Sequence, residues 1–539
     1  MCKNHIFPDK NSSKDEKTIH DQEHSTWSRR SFIQALGLAS TGGIMLGHAA
    51  VAASKASPLS IALANSENEN ILVIVRLKGG NDGLNTIVPI YDYATYANLR
   101  PTLRHQQNNL INLNADFAIP NFMNGLESVW GDGKMKVVHG VGYPQQNLSH
   151  FRSASIWSST DDINIERTGW WGRYYEYLFP DYLVNPPDVP PAVQIGSVGD
   201  LIFEGGDSNY AFSVANNEQL MNVAESGTQH DVVNIPDCVY GDKLLFMRAT
   251  TNTTYRYSSV INAAYMASNN SATYGDGGLA KQLALVARLI KGGLGTKVYM
   301  VTLDGFDTHA NQGGDHQGLL QDLSDSIKNF YDDLAATGVD DKVLTMTISE
   351  FGRRPYENGS RGTDHGAASP VMLFGAGLDG NGFVGNHPNL NEWDADDNLI
   401  PTNDFRDVYA SVLTDWFCLD SSLVSTILLN HNYENLSLGF NCETMGTTNF
   451  SDSTHFAHVA VYKNDRTYLE IKMTNTANVD IRLFDIMGRQ IGSLENKILH
   501  PGNYSIDIKE KIKTRLSAGQ YIYRISTGGQ FYSKSILVR

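Results

Sequence analysis

Five short apolar runs recur along the middle of this 539-residue chain, and their spacing constrains the fold more than any other feature. The runs are ILVIVRL (71–77), KVVHGVG (136–142), TKVYMVTL (296–303), KVLTMTIS (342–349) and VMLF (371–374). Runs rich in β-branched residues are typical of strands buried on both faces, as in a parallel sheet between helices. The helical pattern LLQDLSDSIKNFYDDLAATG follows the third run and ends at Gly338. This alternation predicts an α/β domain in which a sheet is sandwiched between helical layers.

Acidic residues and histidines gather near the ends of these runs, and one serine opens the helix predicted after the second run. The candidate set comprises Asp82, Ser149, Asp304, Asp307, His309, Glu350, Asp364 and His365. Open α/β sheets bind ligands beyond the carboxyl ends of their strands, so we expect these side chains at one edge. Carboxylates that lie close together need either strongly shifted pKa values or a bound cation. Mixed Asp and His ligation suits zinc, manganese or iron, whereas an all-oxygen site suits magnesium or calcium.

Several of these residues also have a plainer interpretation. An isolated Asp-His pair is typical of a surface loop, and Ser149 can be a helix N-cap with no part in catalysis. Arg353, which follows the fourth run, can be an ion-pair partner of Glu350. Three further histidines are expected to be structural or solvated rather than ligands: His139, His150 and His316.

The two ends of the chain differ from the middle. Near the N-terminus, SRRSFIQ (28–34) precedes a moderately apolar stretch and small residues. This order predicts a twin-arginine export signal and leader over residues 1–56, followed by a linker over residues 57–69. From about residue 458 the chain consists of short alternating segments, which predicts a small β-sandwich. No apolar run of the mature chain is long enough to span a bilayer.

Charge and cysteine content exclude some classes of partner and site. The formal net charge of −16 argues against nucleic acid as a partner, because phosphate backbones reward clustered lysine and arginine. Cys2 lies in the predicted leader. Of the remaining cysteines, Cys418 and Cys442 can pair across the end of the main domain, which would leave Cys238 free. The cysteine spacing is not that of a thiolate metal site.

Three phrases near the C-terminus carry a resemblance to a known domain. DIMGRQI (485–491), LSAGQYIYRI (516–525) and KSILVR (534–539) resemble the C-terminal sorting domain of the type IX secretion system of Bacteroidetes. The resemblance implies a sorting domain over residues 458–539, preceded by a linker over residues 443–457. It also implies export machinery as a partner and a secreted or cell-surface protein. A carbohydrate-binding or adhesion module is the structural alternative, since small β-sandwiches serve many functions.

The middle of the chain resembles a second family. LKGGNDGLNTIVP, NLSHFRSASIWSS, TGWWGRY, LDGFDTHANQ, SEFGRRPYENGSRGTDHGAASP and NDFRDVYASVLTDWF follow one another as in the family designated domain of unknown function 1501. That family is placed by similarity in the alkaline phosphatase and sulfatase superfamily. The resemblance implies an alkaline phosphatase-like α/β/α domain over residues 70–442 that hydrolyses phosphate or sulfate esters with the help of metal ions.

The same resemblance assigns roles to individual residues. It implies Ser149 as the nucleophile and either Arg353 or Arg354 as the group that neutralises charge on the transferring group. The implied metal ligands are Asp82, either Asp304 or Asp307, His309, Asp364 and His365, to which the strand-end pattern adds Glu350. Two divalent cations are expected, of zinc, manganese, magnesium or calcium. The superfamily usually spaces its first Asp and His as Asp-x-x-x-His, and neither Asp304 nor Asp307 has this spacing with His309. The superfamily also implies a further histidine after the Asp-His pair, for which His387 is the nearby candidate.

Two functions from different classes follow. The first is an exported metallohydrolase of a small-molecule or polysaccharide ester. The second is a surface protein that keeps the fold but binds glycan or protein without turnover. The departure in Asp-His spacing favours the second, whereas the number of ionisable groups near strand ends favours the first.

Overall fold

The computed structural model describes residues 69–538, apart from 181, 184, 198, 207, 215–229, 232–234, 236–238, 431–432, 441–455, 464–465, 474, 486–489, 513–515, 517–518 and 528–529. The predicted export signal, Cys238 and Cys442 lie outside the described residues. Cys418 is disulfide-bonded. The chain divides into two compact units, one made of Glu69–Glu176 and Tyr182–Asn441 and one within Cys442–Arg539. Among the described helices, none is both long enough and apolar enough to cross a membrane.

The strands of the first unit are numbered in chain order. They are β1 (Ile71–Lys78), β2 (Val88–Pro89), β3 (Leu110–Asn112), β4 (Phe117–Pro120), β5 (Met135–Gly142), β6 (Ala192–Ile195), β7 (Ala211–Val214), β8 (Val298–Asp304), β9 (Val343–Ile348), β10 (Gly352–Arg353), β11 (His365–Gly366), β12 (Ser369–Phe374), β13 (Gly382–Val384) and β14 (Asn403–Asp404). Its helices are α1 (Gly83–Thr86), α2 (Tyr93–Leu99), α3 (Asn124–Gly131), α4 (His150–Ser159), α5 (Trp170–Leu178), α6 (Val239–Ala267), α7 (Gly278–Lys291), α8 (Gln312–Ala335), α9 (Phe405–Ser411) and α10 (Ser421–Ile427).

A nine-stranded sheet forms the centre of this unit, in the order β13-β5-β12-β9-β1-β8-β6-β7, with β14 also paired to β5. Strand β12 runs antiparallel to both of its neighbours, and the other pairings are parallel. Every residue of β5 and β9 is buried, so both faces of the sheet are covered at its centre. The α/β prediction is therefore confirmed.

Packing around the sheet relies on both apolar and polar contacts. Helix α3 packs on α8 at Gly125, where an added Cβ would lie 2.8 Å from the carbonyl oxygen of Ser324. The Tyr331 hydroxyl on α8 lies 3.1 Å from the Val343 carbonyl oxygen and 3.0 Å from Thr345 Oγ1, so it anchors that helix to β9. These contacts fix the helical layer against the strands that carry the candidate residues.

The five apolar runs all form strands of the central sheet, namely β1, β5, β8, β9 and β12. The runs did not indicate strands β6, β7, β13 and β14, which have only two to four residues each. They also did not indicate that β12 is reversed, because strand direction depends on pairing between distant segments.

The second unit contains two antiparallel sheets that share one apolar core. One sheet has the order β15-β16-β19 and the other β18-β17-β20-β21. Their bounds are β15 (Phe456–Lys463), β16 (Arg466–Met473), β17 (Ala477–Asp485), β18 (Gln490–Leu499), β19 (Gly502–Asp507), β20 (Gly519–Thr527) and β21 (Gln530–Val538), with the short helix α11 (Ile508–Lys511). Residues Leu469 and Ile471 of the first sheet pack with Ile481 and Tyr523 of the second. Two sheets around a common core form the predicted β-sandwich.

Candidate metal centre

The candidate residues lie at one edge of the central sheet because β1, β8 and β9 are parallel neighbours that end there. Lys78 ends β1 opposite Asp304 of β8, and Arg76 lies opposite Ile348 near the end of β9. Since β12 is reversed, it begins at the same edge, directly after the Asp-His pair. The loops that follow three strands and precede a fourth therefore meet in one place.

Glycine at position 79 allows two of these loops to touch. Gly79 has a φ of 124°, and a Cβ built there would lie 2.3 Å from the backbone nitrogen of Asp307. A side chain is excluded both by the backbone conformation and by the contact. The glycine-rich turn after β1 is thus required for the position of the Asp307 loop.

A short antiparallel ribbon presents the Asp-His pair to that loop. Strand β10 pairs with β11 so that Arg353 lies opposite His365. Residues directly opposite each other in such a ribbon project from the same face. Both side chains reach Asp307, whose Oδ1 lies 2.8 Å from Arg353 Nη2 and 3.1 Å from His365 Nε2.

Three imidazoles converge on the Asp307 carboxylate. Oδ1 lies 3.1 Å from His309 Nε2 and 3.1 Å from His365 Nε2, and those two nitrogens are 3.0 Å apart. Oδ2 lies 3.3 Å from His150 Nε2. The ligand atoms of His150, Asp307 and His365 all lie within 4.8 Å of one another. We call Asp307, His150, His309 and His365 the His-Asp cluster.

The outer ring nitrogens indicate which atoms of the cluster carry lone pairs. His365 Nδ1 lies 2.8 Å from the Leu148 carbonyl oxygen, which can only accept a hydrogen bond. His309 Nδ1 lies 2.9 Å from Asp364 Oδ1. In the tautomer with hydrogen on Nδ1, each of the two rings directs the lone pair of Nε2 at the other ring and at Asp307. Three electron-pair donors at about 3 Å therefore face one another.

His150 is oriented in the same way by a buried carboxylate. Its Nδ1 lies 3.0 Å from Glu350 Oε1, which also accepts the backbone N–H of Gly79 at 2.9 Å. The other oxygen, Oε2, is buried and has no hydrogen-bond partner among the described residues. Glu350 thus lies behind the cluster and holds an imidazole, an arrangement common around metal-binding histidines.

The Asp307 and Asp364 carboxylates are held in the ionised form. Burial raises the pKa of Asp307, but the hydrogen bond and positive charge of Arg353 outweigh it and hold the pKa below its ordinary value. Burial likewise raises the pKa of Asp364, and the hydrogen bonds from His309 and Asn358 lower it below its ordinary value. Burial lowers the pKa of His365, which favours its neutral form. A carboxylate combined with imidazole nitrogens is a donor set that transition metals bind.

Arg353 is placed differently from its predicted role. The side chain is buried, and it donates a hydrogen bond to the Asp307 carboxylate. It also donates to four carbonyl oxygens, those of Gly80, Thr363 and Phe306 at 2.7–2.8 Å and that of Gly79. Since these contacts occupy the guanidinium, it clamps the loops together and is not available to neutralise a transferring group.

Two predicted ligands are engaged elsewhere. Asp82 is 1% exposed and forms a buried ion pair with Arg100, while Gln312 donates a second hydrogen bond to it. Asp304 is largely exposed and pairs with Lys78 at 2.6 Å. Of the two aspartates left open by the sequence, the structure therefore brings Asp307, and not Asp304, to His309.

Ser149 lies at the N-terminus of α4, directly before His150. It is exposed, and within the described part of the chain its side chain makes no capping hydrogen bond to that helix. Its own N–H donates to Asn147 Oδ1 at 2.9 Å. The Ser149 hydroxyl therefore does not act as the helix N-cap, which was the alternative interpretation of this residue.

His150 is the functional candidate that sequence reasoning set aside. The available signal was its position next to Ser149, after a strand whose end points to the same edge. His316 fits the expectation of a structural histidine, because it is buried and its Nε2 lies 3.1 Å from Asn81 Oδ1. His387 is not part of the cluster, and its Nδ1 lies 3.1 Å from the Tyr91 hydroxyl.

Two parts of the chain match known families. Residues 248–416 match a family described as "Protein of unknown function (DUF1501)", and residues 464–539 match a family described as "Secretion system C-terminal sorting domain". No curated protein is detectably similar to the chain.

Solved structures with a similar arrangement belong to several proteins. They include the lipoteichoic acid synthase LtaP from Listeria monocytogenes (7% identity, TM-score 0.30, 69% of this chain and 81% of that chain). A protein in the alkaline phosphatase superfamily from Vibrio parahaemolyticus has 8% identity and a TM-score of 0.29 over 82% of this chain and 80% of that chain. The PsFucS1 sulfatase from Pseudoalteromonas sp. has 10% identity and a TM-score of 0.29 over 85% and 89%. Similarity at these TM-scores does not establish a shared activity.

The family matches agree with both resemblances found in the sequence. The match to the sorting domain covers nearly the whole β-sandwich unit, and the DUF1501 match includes the loop that carries Asp307 and His309 and the ribbon that carries His365. Residues 248–416 thus match the DUF1501 family, and the C-terminal sorting domain marks the chain for secretion to the cell surface.

Proposed function

We propose that this chain is a secreted, metal-dependent hydrolase of phosphate or sulfate esters. The observation that carries the proposal is the meeting of Asp307 Oδ1, His309 Nε2 and His365 Nε2 within 3.0–3.1 Å of one another. Lone pairs at that spacing repel unless a cation lies among them. Imidazoles combined with one carboxylate suit zinc, manganese or iron rather than calcium.

The His-Asp cluster would hold one cation rather than two. Asp82 and Asp304, which a second ion would need, are paired with Arg100 and Lys78. When bound, a divalent cation supplies Lewis-acid stabilisation for an ester oxygen. Glu350 and Asp364 keep the imidazoles in the orientation that binding requires.

Ser149 is the proposed acceptor of the transferred group. Its Oγ would form a bond to phosphorus or sulfur while the ester oxygen leaves as the alcohol, which takes the serine proton. Water would then cleave the serine ester and release phosphate or sulfate. The N–H groups at the N-terminus of α4 favour the negative charge of that group.

The test compares two aspartates that the sequence could not separate. We expect Asp307→Ala to lose most bound metal, measured by elemental mass spectrometry on the purified mature chain, because it removes the central carboxylate. Asp304→Ala is the matched control and should keep the parent metal content. Ser149→Ala should also keep the metal but lose hydrolysis of p-nitrophenyl phosphate or p-nitrophenyl sulfate, by about 10²-fold or more.

Two results would contradict the proposal. One is a folded parent that binds no metal after incubation with zinc, manganese or iron, which would leave the non-catalytic binding hypothesis. The other is equal metal loss from Asp304→Ala and Asp307→Ala, which would remove the assignment of the cluster.

We also propose that the chain first crosses the inner membrane through the twin-arginine pathway. The pattern SRRSFIQ (28–34) supports this route, which exports folded proteins and would allow metal to be loaded inside the cell. Replacing both Arg29 and Arg30 by Lys should retain the precursor in the cytoplasm, as measured by cell fractionation.

A further inference from the structure

Three large apolar side chains beside the His-Asp cluster face solvent. Phe151 is 92% exposed, Ile163 78% and Ile165 83%, whereas Met266, the next most exposed large apolar residue in the described part of the chain, is 63% exposed. Single apolar side chains on a surface are common, but groups of them mark interaction sites. The proposed reaction uses none of the three.

The three side chains belong to one region because the first turn of α4 is bonded to the loop that follows the helix. Arg152, next to Phe151, donates from Nη2 to the carbonyl oxygens of Asp162 at 3.2 Å and Asn164 at 2.9 Å. Those carbonyl groups lie on either side of Ile163, so the loop runs alongside the turn that carries Phe151. We call Phe151, Ile163 and Ile165 the apolar patch.

The acidic residues of this loop turn inward while its isoleucines turn outward. Asp161 is 7% exposed, and its Oδ1 accepts the N–H groups of Ile163 at 2.9 Å and Asn164 at 2.8 Å. Asp162 pairs with the buried Arg406, with an Oδ1–Nη1 distance of 3.2 Å. This reverses the usual order, in which carboxylates face water and aliphatic side chains are buried. The loop is therefore fixed in a conformation that holds its isoleucines in solvent.

The surface around the apolar patch carries little charge. Glu166 accepts the backbone N–H groups of Arg167 and Thr168 at 2.7 and 2.9 Å, so this carboxylate is also engaged within the loop. Among residues 144–167, all of which the structure describes, the exposed residues include no acid and one cation, Arg167. The whole chain, by contrast, has a formal net charge of −16. The patch therefore favours a partner that is apolar rather than charged.

The size and composition of the apolar patch favour lipid over protein as that partner. Stable protein interfaces bury about 800 Å² on each partner, from roughly 20–30 residues, an area that three side chains do not supply. Protein interfaces are also enriched in tyrosine, tryptophan and arginine, and they carry about ten hydrogen bonds. The side chains of the patch have no polar atom, which suits the acyl chains of a lipid.

We infer that the apolar patch docks the first unit on a lipid bilayer, with Phe151, Ile163 and Ile165 inserted among the acyl chains at the interface. Side chains held on a helix turn and a fixed loop lose little freedom on insertion. The sorting domain marks the chain for secretion to the cell surface, where lipid surfaces are accessible. Binding should depend on buried apolar area and only weakly on salt, because the patch carries little charge.

Docking through this patch would bring the edge that carries the His-Asp cluster to the bilayer. Phe151 directly follows His150 and lies two residues after Ser149, in the first turn of α4. Ser149 would then meet esters carried by lipid molecules rather than esters in free solution. This consequence for the substrate rests on the proposed function, whereas the docking itself does not.

The test measures binding of the purified mature chain to phosphatidylcholine vesicles by flotation in a density gradient, over a series of lipid concentrations. We expect the parent to float at both low and high salt, and added phosphatidylglycerol should not tighten binding. Phe151→Ala and the double variant Ile163→Ser/Ile165→Ser should each weaken binding by about tenfold or more, because apolar area is lost from the acyl region. Phe151→Trp should keep most of the binding, since a large aromatic side chain remains.

The matched control is an exposed isoleucine elsewhere on the first unit. Ile400 is 46% exposed, and Ile400→Ser should bind vesicles as the parent does. Every variant should keep the thermal unfolding of the parent, because the changed side chains are exposed. Analytical ultracentrifugation should give the same state of association for the parent and the variants.

Several results would overturn the inference. They are a parent that does not float, binding that is unchanged in both patch variants, equal loss in Ile400→Ser, and binding that high salt abolishes. A parent that self-associates through the patch without binding vesicles would also overturn it, and would identify a contact between copies of the chain.

The outcomes separate this inference from the proposed hydrolase. A chain that binds metal and hydrolyses p-nitrophenyl esters but does not float keeps the hydrolase and loses the docking. A chain that floats through Phe151 but has neither metal nor turnover keeps the docking and loses the hydrolase. If both hold, Phe151→Ala should hydrolyse p-nitrophenyl phosphate as the parent does but be slower on an ester embedded in vesicles. Equal rates on the embedded ester would remove the consequence for the substrate.

Discussion

Asp82 lies just after the end of β1, and Asp304 is the last residue of the neighbouring strand β8. Their surroundings nevertheless make the two aspartates contribute differently to the stability of the fold. Asp82 and Arg100 form an ion pair whose side chains are at most 1% exposed, whereas Asp304 and Lys78 are both about half exposed or more. Removing one partner of a buried pair leaves an uncompensated charge, while an exposed pair contributes little.

We therefore expect Asp82→Asn to lower the free energy of unfolding by about 3–5 kcal/mol. The matched variant Asp304→Asn should cost only about 0–1 kcal/mol. Chemical denaturation followed by tryptophan fluorescence measures both, since the tryptophans downstream of the predicted leader lie in the first unit. If both variants lowered the free energy of unfolding by a similar amount, the buried ion pair between Asp82 and Arg100 would not be important for stability.

The lowered pKa of His139 predicts that the free energy of unfolding depends on pH in the acid range. Burial, with a smaller contribution from His387, lowers the pKa of His139 to about 3, and its ring stacks on Phe383 with centres 4.9 Å apart. Below pH 6.5 the unfolded chain binds a proton that the folded chain does not. Stability should therefore fall with decreasing pH down to about 3, by about 1.4 kcal/mol per pH unit from this group.

His139→Phe should remove that part of the pH dependence and keep the stack on Phe383. Its Nε2 has no hydrogen-bond partner among the described residues, so no described contact is lost at that atom. Denaturation curves at pH 7 and pH 5 should differ less for the variant than for the parent. An unchanged difference would mean that the titrating groups are elsewhere, for instance at His387, whose pKa burial lowers to about 4.

At the scale of elements, the site depends on how closely the strand-end loops approach one another. Gly79 and Gly338 both have a positive φ, of 124° and 68°. A Cβ at Gly79 would meet the backbone of Phe306 and Asp307 at 2.3–2.9 Å, whereas at Gly338 no atom lies within 4 Å in the described structure. Alanine substitutions at these two glycines therefore distinguish the cost of backbone strain, which both share, from the effect of loop contact, which only Gly79 has.

Gly338→Ala should cost about 1–2 kcal/mol of stability and leave metal content unchanged. Gly79→Ala should cost more and also reduce metal content, because it displaces the loop that carries Asp307. Thermal unfolding and elemental mass spectrometry on the same samples measure the two effects. Parent-like metal content in Gly79→Ala would show that the loops move apart without disturbing the cluster.

The elements themselves were largely predictable, and their pairing was not. Apolar runs indicated β1, β5, β8, β9 and β12, because a strand buried on both faces has to be apolar along its length. The ribbon of β10 and β11 has only two residues per strand and no apolar pattern. Its register, which places Arg353 and His365 on one face, follows from tertiary contacts with the Gly79 and Asp307 loops.

At the scale of the whole molecule, the His-Asp cluster and the sorting domain lie in separate units. Deleting residues 464–539 should stop release to the cell surface in a bacterium with the matching secretion system, because the sorting domain is removed. The truncated chain should still bind metal, since every residue of the His-Asp cluster lies in the first unit. Cell fractionation with an antibody to the first unit, and metal analysis of the retained protein, measure the two outcomes. Surface release of the truncated chain would contradict the sorting role.

The sequence by itself determined the α/β class, the C-terminal β-sandwich and the edge at which polar residues gather. Local patterns suffice for these, because burial of a strand and alternation in a half-buried sheet leave a direct mark on residue order. Only the tertiary structure decided which charged groups meet. Asp82 met Arg100, Asp304 met Lys78, and His150 joined Asp307, because each partner comes from a distant segment and depends on loop contacts that no local pattern encodes.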